Sequence, residues 1–129
     1  MQDLFSIKGK TTLVTGGSRG IGEMIAGGFL ASGAKVYISS RKVEACDAAA
    51  ERLMKTFGGK CISLPGNVAE LDGISALVET LSEQEDKLDI LVNNAGVGWG
   101  APLEEFPEIG WDKVMDTNVK GVLDRKSVV

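Results

Sequence analysis

The chain has 129 residues, 43 % of them hydrophobic and 25 % charged, which suits one ordinary globular domain with a single core. Its formal net charge is −4 and no basic run exceeds two residues, which argues against nucleic acid as a partner. Histidine is absent and Cys46 and Cys61 lack metal-ligand spacing, so a His-based triad is excluded, no metal site is expected, and both thiols are expected in the core.

The opening, MQDLFSIKGKT, reads as a cytosolic N-terminus, and no apolar run is of membrane length, so a cytoplasmic protein with no membrane partner is expected. Gly9-Lys10-Thr11 looks like the end of a P-loop. Leu4 stands where that loop needs its first glycine, however, and the strand follows rather than precedes it. TTLVT, residues 11–15, is a short β-branched strand running into a glycine turn. A helix follows, with Ile21, Met24, Ile25 and Phe29 on one face and Gly33 as its stop. VYISS (36–40) is a second strand, and Val43, Cys46, Ala50, Leu53 and Phe57 make the stripe of a second helix that ends at Gly58-Gly59. CISL (61–64) is the third strand, followed by a helical stripe of Ile74, Leu77, Val78 and Leu81. LDILVNN (88–94) is the fourth strand, and Trp111, Val114, Met115, Val119 and Val122 mark a last helix. Short continuous apolar strands alternating with helices predict a parallel sheet covered on both faces, a Rossmann-like doubly wound α/β fold.

The richest motif is TGGSRGIG, residues 15–22, placed between the first strand and the first helix. Gly16 permits the sharp turn, and Gly20 and Gly22 let backbone and helix come close to a pyrophosphate. The helix N-terminus then offers free N–H groups and positive dipole charge. The spacing is G-x-x-x-G-x-G rather than the commoner G-x-G-x-x-G, so it is the place between strand and helix that makes it a dinucleotide turn. An NAD-preferring site puts an acid at the end of the second strand. Here that position reads Ser39-Ser40-Arg41-Lys42, with no acid between Gly33 and Val43, and Arg19 lies in the turn itself. Two guanidiniums beside one ribose suit a 2′-phosphate, so NADP(H) is expected over NAD(H), which stays possible.

Four motifs in order, TGGSRGIG (15–22), ISSR (38–41), NNAG (93–96) and Asn118 within WDKVMDTNVKG, resemble the short-chain dehydrogenase/reductase family from about residue 7 to about residue 122. The surrounding text is most similar to 3-oxoacyl-ACP reductases of the rhamnolipid-associated kind and to gluconate 5-dehydrogenase-like members. The resemblance implies a carbonyl reductase acting on a small ketone or an acyl thioester. It implies that Thr15, Gly16, Ser18, Gly20, Ile21 and Gly22 hold the cofactor phosphates, Ile21 lying toward the nicotinamide half, while Arg19, Ser40 and Arg41 select the 2′-phosphate. Asn67 and Val68 would stand beside the adenine, with Asn67 replacing the family's Asp. Asn93, Asn94, Ala95 and Gly96 would pack the fourth strand's end against the ribose, and Asn94 would also tie neighbouring strands together. Asn118 would be the asparagine of the catalytic Asn-Ser-Tyr-Lys group. Its spacing, i+7 from Trp111 and i+4 from Val114, puts it on the apolar stripe, where an amide needs partners. Trp99, in the segment 97–102, is a candidate substrate contact.

The same resemblance implies a serine, a tyrosine and a lysine beyond Asn118. Tyr37 is the single tyrosine, sits in a strand, and is followed four residues later by Arg41, so it is expected to be packing. The sheet would be truncated after the fourth strand and following helix, leaving that strand an apolar edge prone to association. A longer parent would be a homo-tetramer or dimer. Residues 124–129, DRKSVV, are what GAT CGG AAG AGC GTC GTG encodes, a string similar to a sequencing-library adapter. The Rossmann part is therefore expected over 1–123, with 124–129 a non-native tail.

Overall fold

The computed structural model describes residues 4–97 and 100–126. Four parallel strands form one sheet in the order β3-β2-β1-β4: β1 Thr11–Thr15, β2 Lys35–Ser39, β3 Cys61–Ser63 and β4 Ile90–Val92. The second strand starts and ends one residue earlier than its sequence pattern, and β4 is shorter than the apolar run 88–94. The strands alternate with helices α1 Gly20–Ala31, α2 Val43–Phe57 and α3 Leu71–Gln84. After β4 come a 3₁₀ turn at Leu103–Glu105, α4 Glu108–Met115, a π-helical turn at Asp116–Lys120, and α5 Gly121–Lys126. The α/β layout expected from the alternation is therefore present. The tail assigned to 124–129 continues α5 as far as Lys126, and its last three residues lie outside the described ones.

Alternate residues of each strand feed two cores. Val14, Val36, Ile38 and Cys61 pack with Ala26 and Leu30 of α1 and with Cys46, Ala49, Ala50 and Leu53 of α2. Leu13, Tyr37 and Ile62 pack on the other face with Ile74, Leu77 and Leu81 of α3. Fully burying each such aliphatic side chain contributes about 1.5–3 kcal/mol. Tyr37 is wholly buried, and its hydroxyl bonds Gln84 and Glu85, so the expectation of packing holds. Both cysteines are buried free thiols, and burial first, with Cys46 nearby second, pushes the Cys61 thiol up to about 12.

Two helical stripes differ from the periodic reading. In α1 the buried residues are Gly22, Ala26, Gly27 and Leu30, while Ile21 and Met24 are exposed. Small residues let α1 settle close onto the sheet; of the four residues in the expected stripe, Ile25 and Phe29 pack against the core and Ile21 and Met24 are turned outward. Along 108–123 the same thing happens: Gly110, Thr117 and Gly121 are buried, whereas Trp111 and Val119 are exposed. The π-turn closes i→i+5 bonds, so a 3.6-residue count started at Trp111 loses register before it reaches Asn118.

Candidate dinucleotide site

The order β3-β2-β1-β4 makes the gap between β1 and β4 the topological switch point, since the chain runs outward from β1 to both sides. In open α/β sheets the crevice beyond the carboxyl ends of such strands receives the ligand. The turn 15–22 and the segment 93–96 both leave the sheet there.

Thr15, the last residue of β1, organises the crevice. Its buried Oγ1 donates to the Val92 carbonyl at 3.3 Å and accepts the N–H groups of Asn94 and Ala95 at 3.1 Å each. The N–H groups of Gly16 and Gly17 bond the Ser39 carbonyl of β2, at 2.8 and 3.2 Å. Asn94 donates its amide to the Gly16 carbonyl at 3.2 Å, so it ties the β4 end to the turn. A Cβ on Gly22 would lie 2.1 Å from that same carbonyl oxygen, closer than any side chain can stand. Gly20 is different. Its φ of +58° is a left-handed conformation, and a Cβ there would meet nothing within 4 Å. Gly22 thus seals α1 against the turn, and Gly20 leaves open space over it. Helix α1 opens on this turn and, like α2, α3 and α4, has no side-chain cap, so its first N–H groups have no cap acceptor. These features fit a bound pyrophosphate.

The other expected residues distribute around this cradle. Arg19 and Arg41 are both exposed, and neither joins an ion pair among the described residues. Ser40 Oγ donates to the Lys42 carbonyl at 3.4 Å, and the Ser40 carbonyl accepts the Gly66 N–H at 2.9 Å, which draws the β2 and β3 ends together. Asn67 Oδ1 accepts the Ala69 N–H at 3.0 Å, an Asx turn, so the oxygen expected to meet adenine is engaged locally. Val68 is buried in the α3-side core, which leaves its backbone rather than its side chain to face a ligand. Ile21 is exposed on the first turn of α1.

Asn118 departs from its expected burial. It is exposed, and its amide clasps one peptide in both directions: Oδ1 accepts the Val97 N–H and Nδ2 donates to the Val97 carbonyl, each at 2.9 Å. The partners foreseen for the amide exist, but they are backbone groups of the β4–α4 connection. Trp99 lies outside the described residues. Two features went unread in the sequence. Val97 carries no side-chain signal for a backbone role. Arg52, on α2, reaches Glu23 and the Ser18 carbonyl of the turn, and only the fold brings these together.

The short chain dehydrogenase family model matches residues 10–127. The rhamnolipid-biosynthesis 3-oxoacyl-[acyl-carrier-protein] reductase of Pseudomonas aeruginosa is 49 % identical over 122 residues, 95 % of this chain and 47 % of the relative. Gluconate 5-dehydrogenase of Gluconobacter oxydans is 40 % identical over 120 residues, 93 % of this chain and 46 % of its own length. Among solved structures, the Pseudomonas aeruginosa RhlG/NADP active-site complex superposes with a TM-score of 0.91 at 47 % identity, covering 99 % of this chain and 49 % of that one. L-sorbose reductase from Gluconobacter frateurii, complexed with NADPH and L-sorbose, gives 0.89 at 32 % identity, covering 95 % and 47 %. The chain spans about half the length of the relatives it matches. Among the described residues no helix is long and apolar enough to cross a membrane, and no cluster of metal-ligating side chains occurs.

Proposed function

The chain belongs to the short-chain dehydrogenase/reductase family, and we propose that it supplies the NADP(H)-holding half of a reductase for a carbonyl substrate. The observation that carries this is the cradle at the β1–β4 switch point, where α1 begins, with open space over Gly20 and the exposed Arg19 and Arg41, which join no ion pair among the described residues. When bound, the cofactor supplies or accepts the hydride. The chain's own residues hold and orient it. The turn 16–22 and the first N–H groups of α1 take the pyrophosphate. Arg19 and Arg41 take the 2′-phosphate, with Ser40 beside them, and the Asn67-Val68 backbone borders the adenine. Asn94, Ala95 and Gly96 pack the ribose, in a segment that Thr15 and Asn94 fasten to β1. Asn118 fixes the peptide at Val97, the start of the connection that leads away from this segment, and so belongs to the catalytic group through positioning. The names of the two relatives support a 3-oxoacyl thioester or a sugar-acid ketone as substrate class. A cytoplasmic setting and a homo-oligomeric parent belong to the same reading.

The test is a pair of titrations. NADPH is expected to bind about tenfold or more tightly than NADH, as charge-assisted bonds to one phosphate would give. Arg41→Asp is expected to weaken NADPH far more than NADH. Equal affinities, or tighter NADH, would overturn the assignment. A second reading, an NADP-binding module without catalysis, is favoured by one observation: the single tyrosine, Tyr37, is buried and bonded to Glu85, where it serves no substrate. Whether the native reading frame continues into Ser…Tyr-x-x-x-Lys separates the two: its presence supports the reductase, its absence the module.

A further inference from the structure

We propose that Arg52 is a positioning residue for the dinucleotide turn, cancelling the charge of Glu23 at the phosphate-facing end of α1 and holding the Ser18 carbonyl outward. This rests on the dinucleotide reading above. The guanidinium stands on α2, yet it forks onto the Glu23 carboxylate, Nε to Oε2 at 3.0 Å and Nη2 to Oε1 at 2.6 Å. Nη2 also donates to the Ser18 carbonyl at 3.4 Å. The contacts span 29 and 34 residues of sequence, so this one side chain staples α2 to both halves of the turn–helix junction.

Two physical consequences follow from that placement. Glu23 lies in the first turn of α1. A carboxylate there interacts favourably with the helix N-terminus of the empty protein, but it competes with a phosphate for the same positive end. A planar guanidinium bound in bidentate fashion is the strongest neutraliser available to a carboxylate. The Ser18 carbonyl matters because a trans peptide points its C=O and the following N–H in opposite directions. Fixing that oxygen against α2 turns the Arg19 N–H the other way. As a plain surface ion pair the contact would be worth little to stability, since the Arg52 side chain is half exposed. Its effect is instead on how the turn receives an anion.

A double-mutant cycle on the full chain, read by NADPH titration with a thermal melt of each variant, tests this. Arg52→Gln is expected to weaken NADPH about two- to fivefold, the size of an uncompensated charge at an exposed helix N-terminus. Glu23→Gln alone is expected to change little. In the double variant most of the loss is expected to return, because the repelling carboxylate is gone. Arg52→Lys keeps the charge but loses the planar fork, so it is expected to weaken NADPH less than Arg52→Gln, and measured with and without Glu23→Gln it carries the cycle if Arg52→Gln does not fold. A loss in Arg52→Gln that persists undiminished in the double variant means a structural role only and overturns the proposal. So does unchanged affinity in Arg52→Gln. If the wild-type chain binds no NADPH at all, it is the dinucleotide reading that fails, and this inference falls with it.

Discussion

Two glycines of one turn illustrate how differently the same residue type can matter. Gly22 is required by its neighbours, since an added methyl would overlap the Gly16 carbonyl. Gly22→Ala is expected to cost about 1–3 kcal/mol of stability and to abolish NADPH binding, measured by chemical denaturation and by titration. Gly20 is required by its backbone and by the space above it. Gly20→Ala is expected to cost about 1–2 kcal/mol from the left-handed conformation, while NADPH affinity falls disproportionately because the methyl enters the open cradle. If Gly20→Ala bound NADPH as well as wild type, the pyrophosphate would not lie there. Thr15 and Asn94 were readable as candidate site residues from the motif. The tie made by the Asn94 amide was foreseen from the same resemblance, but the three backbone groups on the Thr15 hydroxyl were not, because they lie on a strand end 77 to 80 residues away.

Among the elements, the helix 108–126 shows where periodicity stops being informative. Hydrophobic spacing found the helix but put the exposed Trp111 and Val119 on its stripe, and for α1 it was right at Ile25 and Phe29 and wrong at Ile21 and Met24. The reason is common to both: the buried face is made of Gly, Ala and Thr, which let helices approach closely and which a hydrophobic count passes over. The π-turn then moves Asn118 off the stripe and onto Val97. Asn118→Asp keeps an acceptor for the Val97 N–H but sets a carboxylate against the Val97 carbonyl. It is expected to destabilise the connection more than Asn118→Ala, whose cost should be about 1–2 kcal/mol for two exposed bonds. Hydrogen exchange at the Val97 amide reads this directly, and protection retained in both variants would refute the clasp. The strands were easier: β1 was legible to the residue, because β-branched TTLVT is bounded by a lysine and a glycine turn.

In the molecule taken together, the end of the sheet opposite the cradle governs the response to pH. Lys35, held to Glu85, keeps that carboxyl below the usual carboxylate range, and the Thr11 N–H does the same for Asp89. Both folded values lie below the unfolded ones, so their stabilisation is complete above about pH 4.5 and lost as pH falls further. Lys35 is raised, chiefly by Glu85, and Tyr37 is raised, chiefly by burial. Their contributions are therefore lost as pH climbs beyond about 10. Urea midpoints are expected to be flat between about pH 6 and 9 and to fall on both sides, with Glu85→Gln flattening the acid limb. An acid limb unchanged by Glu85→Gln would place the linkage elsewhere.

The late arrival of β4 has a consequence for synthesis. Strands β2 and β3 line up on one flank of β1, whereas β4, which fills the other flank, is made after both of them. A nascent chain released as far as β3 therefore carries TTLVT with one row of peptide groups bare, and Thr15 without the three backbone groups it will later serve. Edge strands of that kind template mispairing. The half of the crevice proposed to take the phosphates is thus assembled while its central strand is still open to capture by another chain, and the residues Val92 to Ala95 close both at the same moment.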